Sequence, residues 1–333
     1  MESIRQPSLR PARWWIGTLA GIFLGLVLLL AAGAKALDPR AFAAQIHAQK
    51  LDVLVSPNTL ALAVVALEVG LGLALVLGVR RLWVLVPAVL LVAFFLFLTG
   101  RDYWRTAHGV VPEAAGCGCF GNLVQRSPAE AFWEDLALLV PALLLSFVGR
   151  GAAGSDPTPP AGRRGAFPVV RTAIVLALTG AATLFAWKAP DLPLDDLATR
   201  LRPGTEIAGI CAGAGENRVC MDSIASELQH GRHLVVLADL DDPAFQRSVG
   251  ALNAYASGGQ GPTLWVISAA TPQQHQSFYW RFGPTFQMRE APAALLQPLY
   301  RRLPRGFAVE EGRVTHTYTG LPPLPPSTAA DPA

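Results

Sequence analysis

Five apolar stretches of membrane-spanning length set the outline of this chain. A helix needs about 20 apolar residues to cross the hydrocarbon core of a bilayer. The stretches cover residues 14–36, 60–79, 82–98, 128–148 and 169–187. The fourth is the most heavily charged, because Glu130, Glu134 and Asp135 lie in its first half. The pattern predicts an all-α bundle of four transmembrane helices followed by a fifth transmembrane helix.

Composition supports a membrane protein with one additional domain. Only 15% of the 333 residues are charged and 52% are hydrophobic, whereas soluble domains carry about 25% charged residues. The net charge of +3 is small, and the basic residues are not clustered with aromatic residues. These features exclude a nucleic-acid partner and leave the lipid bilayer as the expected surroundings of much of the chain.

Basic residues collect in three segments that would lie on one side of the membrane. By the positive-inside rule that side is the cytoplasm. All four cysteines fall in the segments on the opposite side, and disulfides persist in oxidising compartments, so the two patterns agree. The basic residues are Arg5, Arg10, Arg13, Arg80, Arg81, Arg150, Arg163, Arg164 and Arg171; the cysteines are Cys117, Cys119, Cys211 and Cys220.

These features predict six segments. The second is the four-helix membrane domain and the fifth is an outward-facing domain. The linker at 149–168 and the tail at 321–333 are rich in Gly, Pro or Ser, and we expect the tail to be disordered. In order, the segments are a cytoplasmic N-terminus at 1–13, the membrane domain at 14–148, a cytoplasmic linker at 149–168, the fifth helix at 169–187, the outward domain at 188–320 and a Pro-rich tail at 321–333.

Two thiols stand one residue apart between the third and fourth stretches, in Cys117-Gly118-Cys119-Phe120-Gly121. A disulfide between them would close a small, strained ring, and strain makes a disulfide easier to reduce. This favours thiol–disulfide exchange. Other readings stay open: both thiols reduced and structural, pairing with Cys211 or Cys220, or metal binding. Zinc wants about four ligands, and only His108 lies nearby, so we predict no metal site.

Three charged residues lie in or near the predicted spans. Glu68 is in the middle of the second, where an acidic side chain costs about 2.5–3.5 kcal/mol. It is either a functional group or a partner of Lys35 or Arg101 that holds the bundle together. Lys35 and Arg101 lie near the outer ends of their spans, where they could extend to the interface or favour thiolate at the cysteines.

These residues together resemble the MauE proteins of methylamine utilisation, within the wider DoxX-like group. The resemblance covers residues 14–148 and is carried by Lys35-Ala36-Leu37-Asp38-Pro39, Leu67-Glu68-Val69-Gly70, Gly100-Arg101 and the Cys-Gly-Cys-Phe-Gly string. It implies a four-helix protein of the bacterial inner membrane. It also implies a link to maturation of a disulfide-rich periplasmic dehydrogenase subunit, or to thiol redox chemistry more generally. A quinone cofactor is suggested only by analogy of fold.

The outward domain reads as α/β. We predict strands at His233–Ala238 and Thr263–Ser268, helices at Pro243–Ala256 and Ala291–Arg302, and a hairpin formed by 306–309 and 314–318. This order resembles a membrane-tethered thioredoxin-like domain, with Leu303-Pro304 where that family might place a cis-proline. The family's Cys-x-x-Cys is missing, because the first strand is followed by Asp239-Leu240-Asp241-Asp242.

Cys211 and Cys220 enclose a glycine-rich loop. The simpler interpretation is a structural disulfide, which would stabilise the domain by about 2–3 kcal/mol. The alternative interpretation is a redox relay, in which this pair undergoes thiol–disulfide exchange with Cys117 and Cys119. For the whole chain we expect a membrane thiol–disulfide redox protein with a periplasmic client or redox partner. The alternative is a non-catalytic assembly factor whose outward domain binds a client; a transporter or metal handler is least favoured.

Overall fold

A computed structural model of the chain describes residues 10–51, 55–108, 127–148, 166–213, 218–259 and 261–324. The chain divides into two compact units, with the boundary between Leu192 and Pro193. The first is helical and the second combines helices with β-sheet.

Among the residues that the structure describes, the first unit has six α-helices. Four of them (α1, α3, α4 and α6) are long and apolar enough to cross a membrane. Helix α5 is outside that group, because three acidic residues lie in its first half; its helical structure is nevertheless as predicted. The helices are α1 (Arg10–Leu37), α2 (Pro39–Ala48), α3 (Pro57–Val76), α4 (Leu82–Ala107), α5 (Pro128–Ser146) and α6 (Ala166–Lys188).

Capping residues set several of the helix starts. Ser56 accepts a hydrogen bond from the Thr59 amide, so α3 begins at Pro57, three residues before the predicted start. Ser127 and Glu130 form a capping box at the start of α5. In each case a proline follows the cap at the first helical position, where its missing N–H costs nothing.

Helix α4 continues nine residues beyond its predicted end at 98, to Ala107. The predicted end marked where the apolar run stops, but helical hydrogen bonding does not require apolar side chains. The extension is stabilised by contact with α5: the rings of Tyr103 and Phe132 stack with centroids 5.8 Å apart.

Helices α1, α3, α4 and α5 share one apolar core. Arg80, in the short connection between α3 and α4, donates hydrogen bonds to the carbonyl oxygens of Ser146 (3.3 Å), Val148 (2.8 Å) and Trp14 (3.4 Å). It thereby satisfies carbonyl groups at the C-terminal end of α5 that have no partner within the helix.

Helices α1 and α3 approach each other at a pair of glycines. A methyl group on Gly25 would lie 2.7 Å from the Gly72 carbonyl oxygen, and one on Gly72 would lie 2.9 Å from the Gly25 oxygen. Real methyl groups do not come this close to a backbone oxygen. Small residues of this kind let membrane helices pack with their backbones in contact.

Replacing Gly25 by Ala is therefore expected to lower the stability of the helix bundle by roughly 1–3 kcal/mol. Gly33→Ala on the same helix is the matched control, since among the described residues nothing lies within 4 Å of its added methyl. Thermal unfolding of the detergent-solubilised chain, followed by circular dichroism, measures the difference. Equal unfolding temperatures for the two variants would show that the crossing is not tightly packed.

Within its described residues, the second unit has five α-helices and seven strands. The helices are α7 (Asp195–Ala198), α8 (Met221–Ile224), α9 (Pro243–Ser257), α10 (Pro272–Phe282) and α11 (Ala293–Leu296). The strands are β1 (Cys211–Ala212), β2 (Val219–Cys220), β3 (Arg232–Leu237), β4 (Thr263–Ser268), β5 (Gln287–Glu290), β6 (Arg305–Glu310) and β7 (Arg313–Thr319).

Five of the strands form one mixed sheet in the order β5-β4-β3-β6-β7. Strand β3 is parallel to β4, and β4 is parallel to β5. Strand β6 pairs antiparallel with both β3 and β7. The two predicted strands and the predicted hairpin are thus present, and the peptide bond Leu303–Pro304 that precedes β6 is cis.

The sheet is covered on both faces, which explains why β3 and β4 read as continuous apolar runs. Val235 and Leu237 of β3 pack into one core, while Leu234 and Val236 pack into the other. Helices α9 and α10 contribute to the second core. The first core is completed by the segments before β3 and between β5 and β6.

The helix predicted at 291–302 is wrong. The structure has only the four-residue α11 and a 3₁₀ turn at Gln297–Leu299. Pro298 supplies no N–H for the α-helical hydrogen-bond pattern, so the α-helix ends before it and the chain continues as the 3₁₀ turn. Helix α10 and strand β5 were not predicted, although Thr271 and Gln274 form a capping box at the start of α10.

Candidate functional site

The thiol pair Cys117 and Cys119 lies outside the described residues. The described structure stops at His108, just after α4, and resumes at Ser127, just before α5. The role predicted for these two cysteines therefore stays a prediction.

Lys35 and Glu68 form a buried ion pair in the helix bundle. Lys35 lies in the last turn of α1 and Glu68 in the middle of α3, and Lys35 Nζ donates a hydrogen bond to Glu68 Oε1 at 2.7 Å. The side chains are 1% and 0% exposed. The alternative in which Lys35 extends to the membrane interface is thus not the one that the structure shows. Of the two partners considered for Glu68, the structure selects Lys35.

Two aromatic rings complete the surroundings of the ammonium group. The ring centroids of Phe42 on α2 and Phe95 on α4 lie 5.3 Å and 5.1 Å from Lys35 Nζ. Glu68 Oε2 is buried and has no hydrogen-bond partner among the described residues. Four helices therefore meet around one cation, of which α1 carries the charge and α3 the counter-ion.

Arg101 is not part of this pair. It lies on α4 and is 28% exposed, and within the described part of the chain it pairs with its neighbour Asp102, with Nε 3.9 Å from Oδ1. Asp102 Oδ2 in turn accepts a hydrogen bond from Gln49 Nε2 at 3.1 Å. The three residues predicted to support the thiols thus separate into a buried pair, Lys35 and Glu68, and a half-buried arginine.

A groove lies beside the ion pair. Helix α2, helix α3 and helix α4 line it, and Lys35 contributes from α1. The cavity within it has a volume of about 60 Å³. Its lining is mostly apolar, with polar side chains at Lys35, Gln45, Gln49, Thr99 and Asp102. Sequence reasoning missed this groove, because its walls come from four segments that are distant along the chain.

Cys211 and Cys220 are joined by a disulfide in the second unit. The two residues lie directly opposite each other in the short antiparallel pair β1–β2. Nη2 of Arg218 lies 3.4 Å from Cys211 Sγ. The structure thus contains the disulfide that the simpler interpretation predicted, while a relay role for these cysteines stays a prediction.

A second cavity, of about 230 Å³, lies at the carboxyl ends of β3 and β4. Asp239, Gln274, Tyr300 and Leu303 are among its lining residues. Burial raises the pKa of the Tyr300 phenol, and the Asp239 carboxylate raises it further. Ligands of α/β sheets commonly bind at such strand ends. The cavity can offer a carboxylate, a phenol and an amide to a ligand.

The carboxylates that follow β3 are partly engaged by their neighbours. The Asp241 amide donates to Asp239 Oδ1 at 3.0 Å, and Gln274 Nε2 donates to Asp241 Oδ2 at 2.6 Å. Asp242 caps α9 by accepting from the Ala244 amide at 2.9 Å. Local turn and capping geometry therefore accounts for these acidic residues, and no side chain in this segment offers a thiol.

Comparison with known proteins concerns the first unit. Residues 13–148 match the family model of MauE, described as methylamine utilisation protein MauE. The match spans α1 to α5 and ends before α6. No curated protein shows a significant match to the chain. The helical region at residues 13–148 is therefore similar to the MauE family.

Proposed function

We propose that this chain is a membrane thiol–disulfide redox protein that supports disulfide formation or maturation of periplasmic proteins through Cys117 and Cys119. The observation that carries the proposal is the Cys-Gly-Cys-Phe-Gly string within the MauE-matched region, between α4 and α5. The family description connects the chain with methylamine utilisation, and clients resembling methylamine dehydrogenase are the class we propose.

The orientation we propose places the N-terminus in the cytoplasm of a bacterial cell and the second unit in the periplasm. It rests on the basic residues that flank α1, follow α3 and precede α6. One of these residues, Arg80, also caps α5. Because this contact is a second reason for an arginine at position 80, Arg81 is the stronger evidence for the orientation.

The redox cycle balances with a two-electron acceptor. A client thiolate attacks the oxidised Cys117–Cys119 pair to form a mixed disulfide. The client's second thiolate then displaces the protein's cysteine, leaving an oxidised client and a reduced pair. Reoxidation of the pair releases two electrons and two protons. A lipid-soluble quinone, which takes up both to become a quinol, is the acceptor class we propose.

The second unit, in this proposal, is a thioredoxin-like domain that lacks the active-site Cys-x-x-Cys. The support is its sheet order, with β3 and β4 parallel across α9 and the β6–β7 hairpin on the other side of β3. Asp239 to Asp242 stand where such a domain carries its active cysteines. The domain would bind the client at the cavity beside Asp239 and Tyr300 rather than oxidise it.

Trapping of a mixed disulfide tests the redox function. In cells that express Cys119→Ser, we expect Cys117 to form an adduct with periplasmic protein that appears on non-reducing gels and disappears with dithiothreitol. The reciprocal Cys117→Ser variant identifies which thiol is attacked first. A Cys211→Ser/Cys220→Ser chain serves as the control for trapping through the other pair.

The same strains distinguish the alternative, a non-catalytic assembly factor. If Cys117→Ser/Cys119→Ser preserves client maturation, the redox proposal is wrong and the assembly role is supported. If maturation is lost while the protein is present at its normal level, the assembly role alone is insufficient.

A further inference from the structure

The groove beside Lys35 has the features of a small-molecule site within the membrane region. Its walls are apolar and aromatic, and its polar groups are concentrated at few positions, as is typical of ligand pockets. Phe94 lines the groove and is 40% exposed on α4. The groove therefore opens on the surface of a membrane-spanning helix, where a lipid-soluble ligand would arrive.

The Lys35 ammonium has unused hydrogen-bonding capacity in this groove. An ammonium carries three N–H donors, and among the described residues Lys35 has one hydrogen-bond acceptor, Glu68 Oε1. Aromatic rings, from Phe42 and Phe95, occupy two further sides. Since Lys35 is only 1% exposed, water has little access to the remaining N–H donors of its ammonium group. An oxygen acceptor from a ligand would satisfy them.

The charge of the pair restricts the kind of ligand. The Glu68 carboxylate already balances the ammonium, and its oxygen Oε2 has no hydrogen-bond partner within the described part of the chain. A phosphate or other anion would be repelled by this nearby carboxylate in a medium of low dielectric. A neutral ligand with a carbonyl oxygen avoids that repulsion and still meets the donors of Lys35.

We propose that this groove binds the headgroup of a lipid-soluble quinone, with Lys35 Nζ donating a hydrogen bond to one quinone carbonyl oxygen. The inference rests on the proposed redox function and names the site of its electron acceptor. The cavity of about 60 Å³ would hold the carbonyl edge of the ring, and the isoprenoid tail would leave beside Phe94. Phe42 and Phe95 would border the ring.

The position of Lys35 suits the charge that develops on reduction. When the dithiol of Cys117 and Cys119 is oxidised, two electrons and two protons pass to the quinone, which becomes a quinol. Negative charge grows on the carbonyl oxygen before it is protonated, and a hydrogen-bonded ammonium stabilises such charge in a dry site. Lys35 acts here as a binding and charge-stabilising group, while the thiols supply the electrons.

Photolabelling of the purified full-length chain tests the site. An azido-ubiquinone with a short tail is the probe, decylubiquinone is the competitor, and labelled peptides are mapped by mass spectrometry. We expect saturable labelling on α2, α3 or α4. Val64→Trp, which fills the groove from α3, should reduce labelling at least tenfold. Leu67→Trp is the matched control, because Leu67 lies on the same helix, is 43% exposed and is not among the residues that line the groove.

A second variant keeps the test informative if Val64→Trp does not fold. Lys35→Met/Glu68→Leu removes the donor without leaving a buried charge and should weaken quinone binding about tenfold, the loss equivalent to one hydrogen bond. Saturable labelling that survives both variants, or no saturable labelling of the wild type, overturns the assignment.

Thiol reactivity is measured separately, so that a failure of the quinone-site proposal can be distinguished from a failure of the redox proposal. Maleimide labelling of Cys117 and Cys119 in the same preparations reports whether the thiols exchange. Labelling of the groove together with unreactive thiols supports the quinone site and overturns the redox proposal. Reactive thiols in a protein that binds no quinone overturn the site and leave the redox proposal standing with another acceptor.

Discussion

Lys35→Met is expected to lower the free energy of unfolding of the helix bundle by about 3–5 kcal/mol, the typical cost of removing one partner of a buried ion pair. The substitution leaves the Glu68 carboxylate in the bundle with its counter-ion gone. Because Glu68 is fully buried, no water replaces the lost ammonium. We expect a lower unfolding temperature in detergent and a smaller yield of monodisperse protein.

The double variant Lys35→Met/Glu68→Leu separates charge from packing. Replacing both members of a buried ion pair by apolar side chains of similar volume is often neutral or stabilising, so the double variant should recover most of the lost stability. Lys188→Met, at the exposed end of α6, controls for the loss of a lysine elsewhere in the same unit. Equal destabilisation in the single and double variants would mean that packing around Lys35, rather than its charge, stabilises the bundle.

Arg305→Met is expected to destabilise the second unit by a comparable amount, about 3–5 kcal/mol. The Arg305 guanidinium is 1% exposed and lies between two carboxylates, with Nη1 3.4 Å from Asp195 Oδ1 and Nη2 2.8 Å from Asp196 Oδ1. It also donates to the Leu201 carbonyl oxygen at 3.3 Å. Its removal leaves the Asp195 carboxylate buried, with one hydrogen bond from the described residues, donated by Thr319 Oγ1 at 3.0 Å.

The expected consequence is a weaker attachment of the segment 195–201 to the sheet, since Arg305 at the start of β6 holds it there together with the hydroxyl groups of Thr317 and Thr319. Hydrogen exchange of the full-length chain, read by mass spectrometry, should show faster exchange in β6 and in residues 195–201. Arg313→Met on the neighbouring strand is the matched control. Its partner is Glu206, both side chains are more than 60% exposed, and exposed pairs contribute about 0–1 kcal/mol. Similar exchange in the two variants would contradict the buried-clamp interpretation.

Prediction from sequence succeeded where one local property decides the outcome. An apolar run of sufficient length has few alternatives to a membrane helix, and the buried strands β3 and β4 are apolar because both faces of the sheet are covered. It failed where a local pattern competes with a single residue. The segment at 291–302 has helical composition, yet Pro298 interrupts it, and the polar end of α4 stays helical because it packs against α5.

The candidate site shows the same division. The position of Glu68 in the middle of an apolar stretch marked it as an unusual residue. Lys35 and Arg101 were the partners considered for it. Only the packing of α1 against α3 decided between them. Lys35 and Glu68 are 33 positions apart, and the sequence between them does not indicate which helix faces meet. The groove beside the pair is likewise a property of four helices together.

Sequence by itself determined the membrane class of this chain, its resemblance to MauE and the presence of an α/β region, because each follows from hydropathy, from short motifs or from periodicity along the chain. Tertiary structure alone decided that Lys35 is buried against Glu68, that Arg80 caps α5 and that Arg305 lies between Asp195 and Asp196. Each of these contacts joins residues that are far apart in sequence, and burial raises the energetic cost of leaving any of these charges without a partner.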